Sequence, residues 1–163
     1  MKKYKVGFYG GKFMPFHKGH EYCISKGLEL CEVLYVIMFY GGKQEEDILN
    51  NNKEEYLLPD IRYERIKNHY KDNSNIKLYK LDISDCRLDS GEEDWEAETP
   101  LVRNIIKEPI DIVLGSEVSY TEYFNNAYPE AKYIIVDKER NIIPISATKI
   151  RNMNEEERIK WII

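Results

Sequence analysis

Strands alternating with helices along 163 residues predict an α/β fold, a doubly wound and mostly parallel sheet with helices on both faces. Three observations carry that prediction. Strand, helix and strand follow one another within the first forty residues, a βαβ unit. Val33–Tyr40 is almost uninterrupted apolar, as a central parallel strand covered on both faces must be. Finally, strand after strand stops on glycine or a small polar residue.

In order, Tyr4–Tyr9 reads as a strand that breaks at Gly10-Gly11, where bare N–H groups can approach a ligand. Pro15 keeps a helix from starting before Phe16. The helix from about His17 to Cys31 carries an inner stripe of Ile24, Gly27, Leu28 and Cys31. After the strand Val33–Tyr40, residues Lys43–Leu58 are polar and acidic and read as a solvated loop or a lid. Asp60 is placed to cap a helix through Tyr70, with Tyr63, Ile66 and Tyr70 facing inward. Ile76–Leu81 is a strand, and the acidic stretch Asp82–Glu98 holds Trp95 and is a second candidate lid. Pro100 marks the first turn of a helix over Thr99–Lys107. Ile110–Leu114 is a strand, and Ser119 with Glu122 form a capping box for a helix through Ala127. Tyr133–Val136 is the last strand and Asp137–Asn141 a charged turn. Asn154, with Glu157 three residues on, caps a last helix that runs to the C-terminus.

Ligands of such sheets bind beyond the carboxyl ends of the strands. In this Rossmann-like arrangement Gly10-Gly11, Gly41-Gly42, Gly115-Ser116 and Asp137 share one rim. No repeat, low-complexity run or linker interrupts the chain, so residues 1–163 are expected to form one domain. A net charge of −5 disfavours a nucleic-acid partner. No apolar run reaches the ~20 residues of a membrane span, and Met-Lys-Lys is not followed by a signal-peptide core. Cys23, Cys31 and Cys86 have no CxxC spacing and read as buried or incidental thiols in a reducing cytoplasm.

Chemistry concentrates in two stretches. The first, Gly10-Gly-Lys-Phe-Met-Pro-Phe-His-Lys-Gly-His20, sets His17 and His20 on one face of a first helical turn, beside free N–H groups and a positive dipole end. That combination suits an anion. Polar residues at an exposed helix start are the bland alternative, and a metal site would have only two ligands here. Lys12 adds a mobile cation, and Gly19 removes a side chain where something must approach. The second, Ile145-Ser-Ala-Thr-Lys-Ile-Arg151, presents two hydroxyls and two cations across another helix start. Arg151 can fork to phosphate as a lysine cannot.

The first stretch resembles the His-x-Gly-His signature of the nucleotidyltransferase superfamily. Its Gly-Lys-Phe-x-Pro-x-His form is similar to nicotinamide-mononucleotide adenylyltransferases of the NadR type, whereas other branches usually carry Gly-Thr-Phe-Asp there. Ile145–Arg151 resembles the family's Ile-Ser-x-Thr-x-x-Arg, and the two signatures span nearly the whole chain. Leu58-Pro-Asp-Ile-Arg62, Gly115-Ser-Glu117 and Val136-Asp-Lys-Glu-Arg140 match the same type more loosely. The resemblance implies attack of a phosphate monoester on the α-phosphorus of ATP, giving NAD and pyrophosphate. It implies His17 and His20 as catalytic groups at the α-phosphate. Gly10, Gly11, Lys12, Phe13, Ser146, Thr148 and Arg151 are then the ATP contacts. Tyr40, Arg62, Trp95 and Ser116 are the acceptor contacts. Mg²⁺ is expected to bridge phosphate oxygens without a protein cage. Such a nucleophile is already anionic, and no Ser-His-Asp, Cys-His or paired-carboxylate device appears in the sequence.

Two departures qualify the likeness. Nothing after Ile163 supplies the kinase domain of bifunctional members, and Lys43–Leu58 and Asp82–Glu98 differ freely from the type. Trp95 reads equally as a stacking platform for a charged pyridinium ring or as a core anchor. The rival readings are a sister transferase with another phosphate acceptor or with CTP, and a non-catalytic nucleotide sensor. Partners are thus ATP and nicotinamide mononucleotide, with no membrane and no nucleic acid, and homo-oligomers remain open.

Overall fold

The computed structural model describes residues 1–163. Five strands form one all-parallel sheet in the order β3-β2-β1-β4-β5, with β1 Tyr4–Gly11, β2 Cys31–Tyr40, β3 Ile76–Asp82, β4 Ile112–Gly115 and β5 Lys132–Ile135. This is the expected Rossmann-like doubly wound sheet, and its order reverses between β1 and β4. The helices are α1 Lys18–Leu30, α2 Lys43–Asn51, α3 Pro59–His69, α4 Trp95–Ile105, α5 Thr121–Ala127, α6 Ala147–Arg151 and α7 Glu155–Arg158.

Strand β2 shows why the sheet is sandwiched. Leu34, Val36 and Met38 point to one face, where Ile24 of α1 and Ile66 of α3 cover them. Tyr35 and Ile37 point to the other, against Val102 and Ile106 on and just after α4. Leu34, Val36, Ile37 and Met38 are wholly buried, and each such side chain stabilises the fold by about 1.5–3 kcal/mol. Gly27 is obligatory in α1, since a Cβ there would lie 2.6 Å from Leu114. Cys23, Cys31 and Cys86 are free and buried, as expected. No helix is long and apolar enough to cross a membrane.

Several local expectations are corrected. Gly10 and Gly11 do not turn the chain; they continue β1 and pair with Ile37 and Met38. The chain turns at Phe13, which has φ +54, and the Met14–Pro15 peptide is cis. Residues 43–51 form α2 instead of a loop, because Glu45 is turned inward to a tertiary partner. Helix α3 starts at Pro59 and has no side-chain cap, so Asp60 lies inside its first turn. Helix α4 starts a turn early, at Trp95, because Asp94 accepts from the Ala97 N–H; Pro100 lies inside it. No capping box forms at Ser119, which sits in a 3₁₀ turn over Val118–Tyr120. Helix α7 is capped by Asn154 as expected but ends at Arg158. The residues beyond it return to α1: Lys18 N–H donates to Trp161 O, and Ile162 bridges His17.

Candidate active site

A cavity of about 360 Å³ opens at the carboxyl ends of β1 and β4, where the strand order reverses. One end is polar, lined by Gly11, His20, Ser146, Thr148 and Arg151. The other is an aromatic box that includes Phe8, Phe39, Trp95, Tyr123 and Phe124. A smaller pocket of about 80 Å³ adjoins it and shares His20, Ser116 and Arg140. Gly115, Ser116 and Asp137 reach the two pockets as the rim argument requires. The third strand end, β2, contributes Phe39; Gly41 and Gly42 pack instead against Ser84 and Glu93.

The two histidines are built into the helix start itself. His17 is the N-cap of α1, and its Nδ1 accepts from Gly19 N–H at 3.0 Å. His20 Nδ1 in turn accepts from His17 N–H at 3.2 Å, completing a capping box made of imidazoles. The ring centroids lie 3.7 Å apart. A neutral imidazole that accepts at Nδ1 carries its proton at Nε2. Each ring therefore offers an Nε2–H as its remaining hydrogen-bonding group. Burial, with help from the Arg140 guanidinium, holds His17 down at about 4. Burial, then His17 and Arg140, holds His20 well below the usual imidazole range. Both are thus neutral donors near pH 7. Gly19 is needed for the His17 ring: a Cβ would stand 2.7 Å from His17 Cε1. What approaches Gly19 is the imidazole two residues back.

The remaining candidates divide. Lys12 is near the cavity but already matched, with Nζ 2.8 Å from Glu93 Oε2 and 2.7 Å from Gln44 Oε1. Phe13 is buried beside His20, with centroids 4.8 Å apart in edge-on contact, and shapes the histidine. Ser146 caps α6, its Oγ accepting from Lys149 N–H at 3.2 Å. Arg151 donates from Nη1 to Met14 O at 2.8 Å and from Nη2 to Thr148 Oγ1 at 3.3 Å, joining α6 to the turn before α1. Ser116 lies against Cys23, Oγ to Sγ 3.4 Å. Trp95 stands in the aromatic wall, edge-on to Tyr120 and Tyr123 at 4.9 and 5.2 Å.

Two acceptor candidates are misplaced. Arg62 is 1% exposed and does not line the cavity. Its guanidinium is consumed by Glu45, by Leu57 O and by Lys12 O at 3.1 Å, so it holds the loop after β1 from behind. Tyr40 belongs to the opposite face of the sheet, packed with Lys80 and the α3 side. Strand alternation gives the cavity its neighbour Phe39. Arg140 was not among the expected site residues. It lines both pockets, sits at φ +54, and its Nη2 is 3.1 Å from Glu117 Oε1. Its position after β5, in Val136-Asp-Lys-Glu-Arg140, was the available clue.

No family model matches the chain. It is 36% identical over 76 residues to a phosphopantetheine adenylyltransferase of Mycoplasma capricolum, covering 45% of this chain and 46% of the relative. It is 22% identical over 156 residues to the trifunctional NAD biosynthesis/regulator protein NadR of Escherichia coli, covering 92% of this chain and 37% of the relative. A probable nicotinate-nucleotide adenylyltransferase of Caldicellulosiruptor saccharolyticus is 26% identical over 159 residues, covering 93% and 72%. Among solved structures, a NadR protein in complex with NAD and AMP-PNP superposes with TM-score 0.70 at 21% identity, over 99% of this chain and 46% of that one. The chain thus spans less than half the length of the first two relatives and of that structure. The curated relatives together indicate the nucleotidyltransferase superfamily, and the solved structure shows the same fold.

Proposed function

We propose that this chain transfers AMP from ATP to nicotinamide mononucleotide, forming NAD and releasing pyrophosphate. Adenylyl transfer, the broader part of the reading, draws support from relatives named as adenylyltransferases. The observation that carries it is the pair of neutral, Nε2-protonated imidazoles between a polar phosphate-sized end and an aromatic box.

In this reading one domain, residues 1–163, binds both substrates across the cavity. An acceptor phosphate oxygen forms a bond to the α-phosphorus as the bond to the β-phosphate bridging oxygen breaks, and pyrophosphate departs with that electron pair. The nucleophile is already an anion, so neither histidine needs to act as a base. Their Nε2–H groups donate to α-phosphate oxygens, and His20 gains most as charge grows there. Ser146, Thr148 and Arg151 hold the outer phosphates, joined by Arg140 and the Gly11–Phe13 backbone. Trp95 and Phe39 flank the pyridinium ring.

The donor set fits no protein metal cage. Glu93 and Glu117 are each committed to a cation, Lys12 and Arg140. No three His, Cys, Asp or Glu side chains converge on one point. An Mg²⁺ would be carried by the nucleotide's own phosphates and would supply charge neutralisation to them.

Relatives named for phosphopantetheine and for nicotinate nucleotide define the competing acceptors. The aromatic box and the acidic residues around Trp95 favour a cationic ring bearing a neutral amide. Pyrophosphate release from ATP and Mg²⁺ should be measured with nicotinamide mononucleotide, nicotinate mononucleotide and phosphopantetheine. The reading expects the first to give the highest kcat/KM. Faster use of phosphopantetheine or the nicotinate form would overturn the acceptor, and release with none would overturn the transfer.

A further inference from the structure

The acidic stretch before and within α4 carries Glu92, Glu93, Asp94, Glu96 and Glu98, and the structure separates their roles. Glu92 and Glu96 point to solvent. Asp94 caps α4, and Glu93 pairs with Lys12. Glu98 alone is buried, 9% exposed, and lines the large cavity. It follows Trp95 by one helical turn, so both side chains share the face of α4 that walls the aromatic box. No protein group donates a hydrogen bond to its carboxyl. A carboxyl withdrawn from water without a partner is costly to keep, and here it opens onto a ligand-sized space.

We propose that Glu98 is the acceptor-selecting residue: its carboxyl receives the N–H of a neutral amide on the bound ring and repels a carboxylate in the same position. This rests on the reading above and goes further, assigning the choice between two acceptors to one side chain. The groups facing Glu98 are consistent with that task. Lys12, from the end of β1, is the one nearby cation, and Glu93 occupies it. Asp94 lies before α4 and Cys86 in the loop after β3. From the α5 side come Tyr123, whose hydroxyl donates to Trp95 O at 2.8 Å, and Tyr128. None of these supplies a free cation to welcome an acid.

The ionisation of Glu98 makes the selection pH-dependent. Burial, with Glu93 as the next contribution, raises its carboxyl to about 7, against a smaller opposing pull from Lys12. Above that pH it is an anion that accepts from an amide and excludes a carboxylate. Below it the repulsion is gone.

The test compares the parent with Glu98→Gln, which keeps size and shape. For each, kcat/KM is measured with nicotinamide and nicotinate mononucleotides at saturating ATP and Mg²⁺, from pH 6 to pH 8.5. Dissociation constants for both mononucleotides are measured by calorimetry without turnover. Loss of a hydrogen bond to a charged group predicts that the amide-over-acid ratio at pH 8 falls about 10- to 100-fold in the variant. Much of that fall should be a gain with the acid, a change that mere loosening of the site would not produce. The parent's ratio should decline as pH drops through 7, while that of Glu98→Gln stays level. An unchanged ratio in the variant, or a flat ratio in the parent, would overturn the role of Glu98. That profile needs no variant, so a misfolded Glu98→Gln would not leave the proposal standing unchallenged. Failure of the parent to use either mononucleotide, with phosphopantetheine used instead, would overturn the acceptor reading and this inference with it. A parent that makes NAD but shows equal calorimetric affinities for amide and acid would sink only the assignment to Glu98.

Discussion

Removing Glu45 should cripple the fold from beneath the polar end of the cavity. Its carboxylate meets the Arg62 guanidinium, and the two side chains are 4% and 0% exposed. Glu45→Ala leaves that guanidinium buried and uncompensated, a change that typically costs about 3–5 kcal/mol. For a domain of this size each kcal/mol moves the midpoint by about 2–4 °C, so a fall of roughly 10–15 °C is expected. Arg62 also donates to Lys12 O, so the same variant should bind ATP more weakly through its displaced loop. The double variant Glu45→Leu/Arg62→Met removes both charges while filling their volume. It should recover much of the loss, short of full recovery because the Lys12 and Leu57 carbonyls lose their donor. Thermal unfolding by circular dichroism, with ATP affinity by calorimetry, reads both effects. A double variant as unstable as Glu45→Ala would refute the reasoning, since the damage would then be packing and not an orphaned charge.

Four further outcomes can be measured. His20→Ala should lower turnover by about two to three orders of magnitude with a much smaller change in ATP affinity; equal losses in both would make it a ground-state ligand. Gly19→Ala should fold normally yet lose about 10²-fold in turnover, because its methyl group would displace the His17 ring it meets at 2.7 Å. Arg151→Lys keeps charge but cannot span Met14 O and Thr148 Oγ1, so ATP should weaken relative to AMP; unchanged relative affinities would take Arg151 off the phosphate tail. In acid, His17 works against the fold. Its pKa drops from 6.5 to about 4 on folding, so the unfolded chain binds more protons between those values and stability falls by about 3 kcal/mol as pH falls across them. Glu98 acts in the opposite sense, raised from 4.5 to about 7 and costing stability as pH rises between them. Urea unfolding of Glu98→Gln should therefore show a steeper rise in stability from pH 4.5 to 6.5 than the parent, and parallel curves would refute the opposition.

What could be read in advance followed from patterns that tertiary contacts do not override. The unbroken apolar run of β2 fixed a two-sided central strand, and His17 with His20 announced a helix start. The failures lie where the partner is remote in sequence. Glu45 looks like one more solvated acid until Arg62 is found opposite it, so α2 was mistaken for a loop. Gly10 resembles a turn glycine, yet its missing Cβ makes room for Phe39 Cε2, which would be 2.6 Å away. Alternation along β2 was legible, but the face that would carry the cavity was not, so position 40 stood in for its neighbour Phe39. Arg140 reaches the histidines only because β5 ends beside β4.

The bridge between His17 and Ile162 gives the molecule a schedule as well as a shape. Lys18 N–H donates to Trp161 O, and Ile163 N–H donates to Phe16 O, so the segment around the first histidine is clasped by the other end of the sequence. Strands β2, β3 and β4 can assemble around β1 while the clasp is still unmade. The sheet can therefore form before the helix start at His17 is clasped. Contacts so widely separated in sequence form slowly, so the segment around His17 is among the last to be held in place.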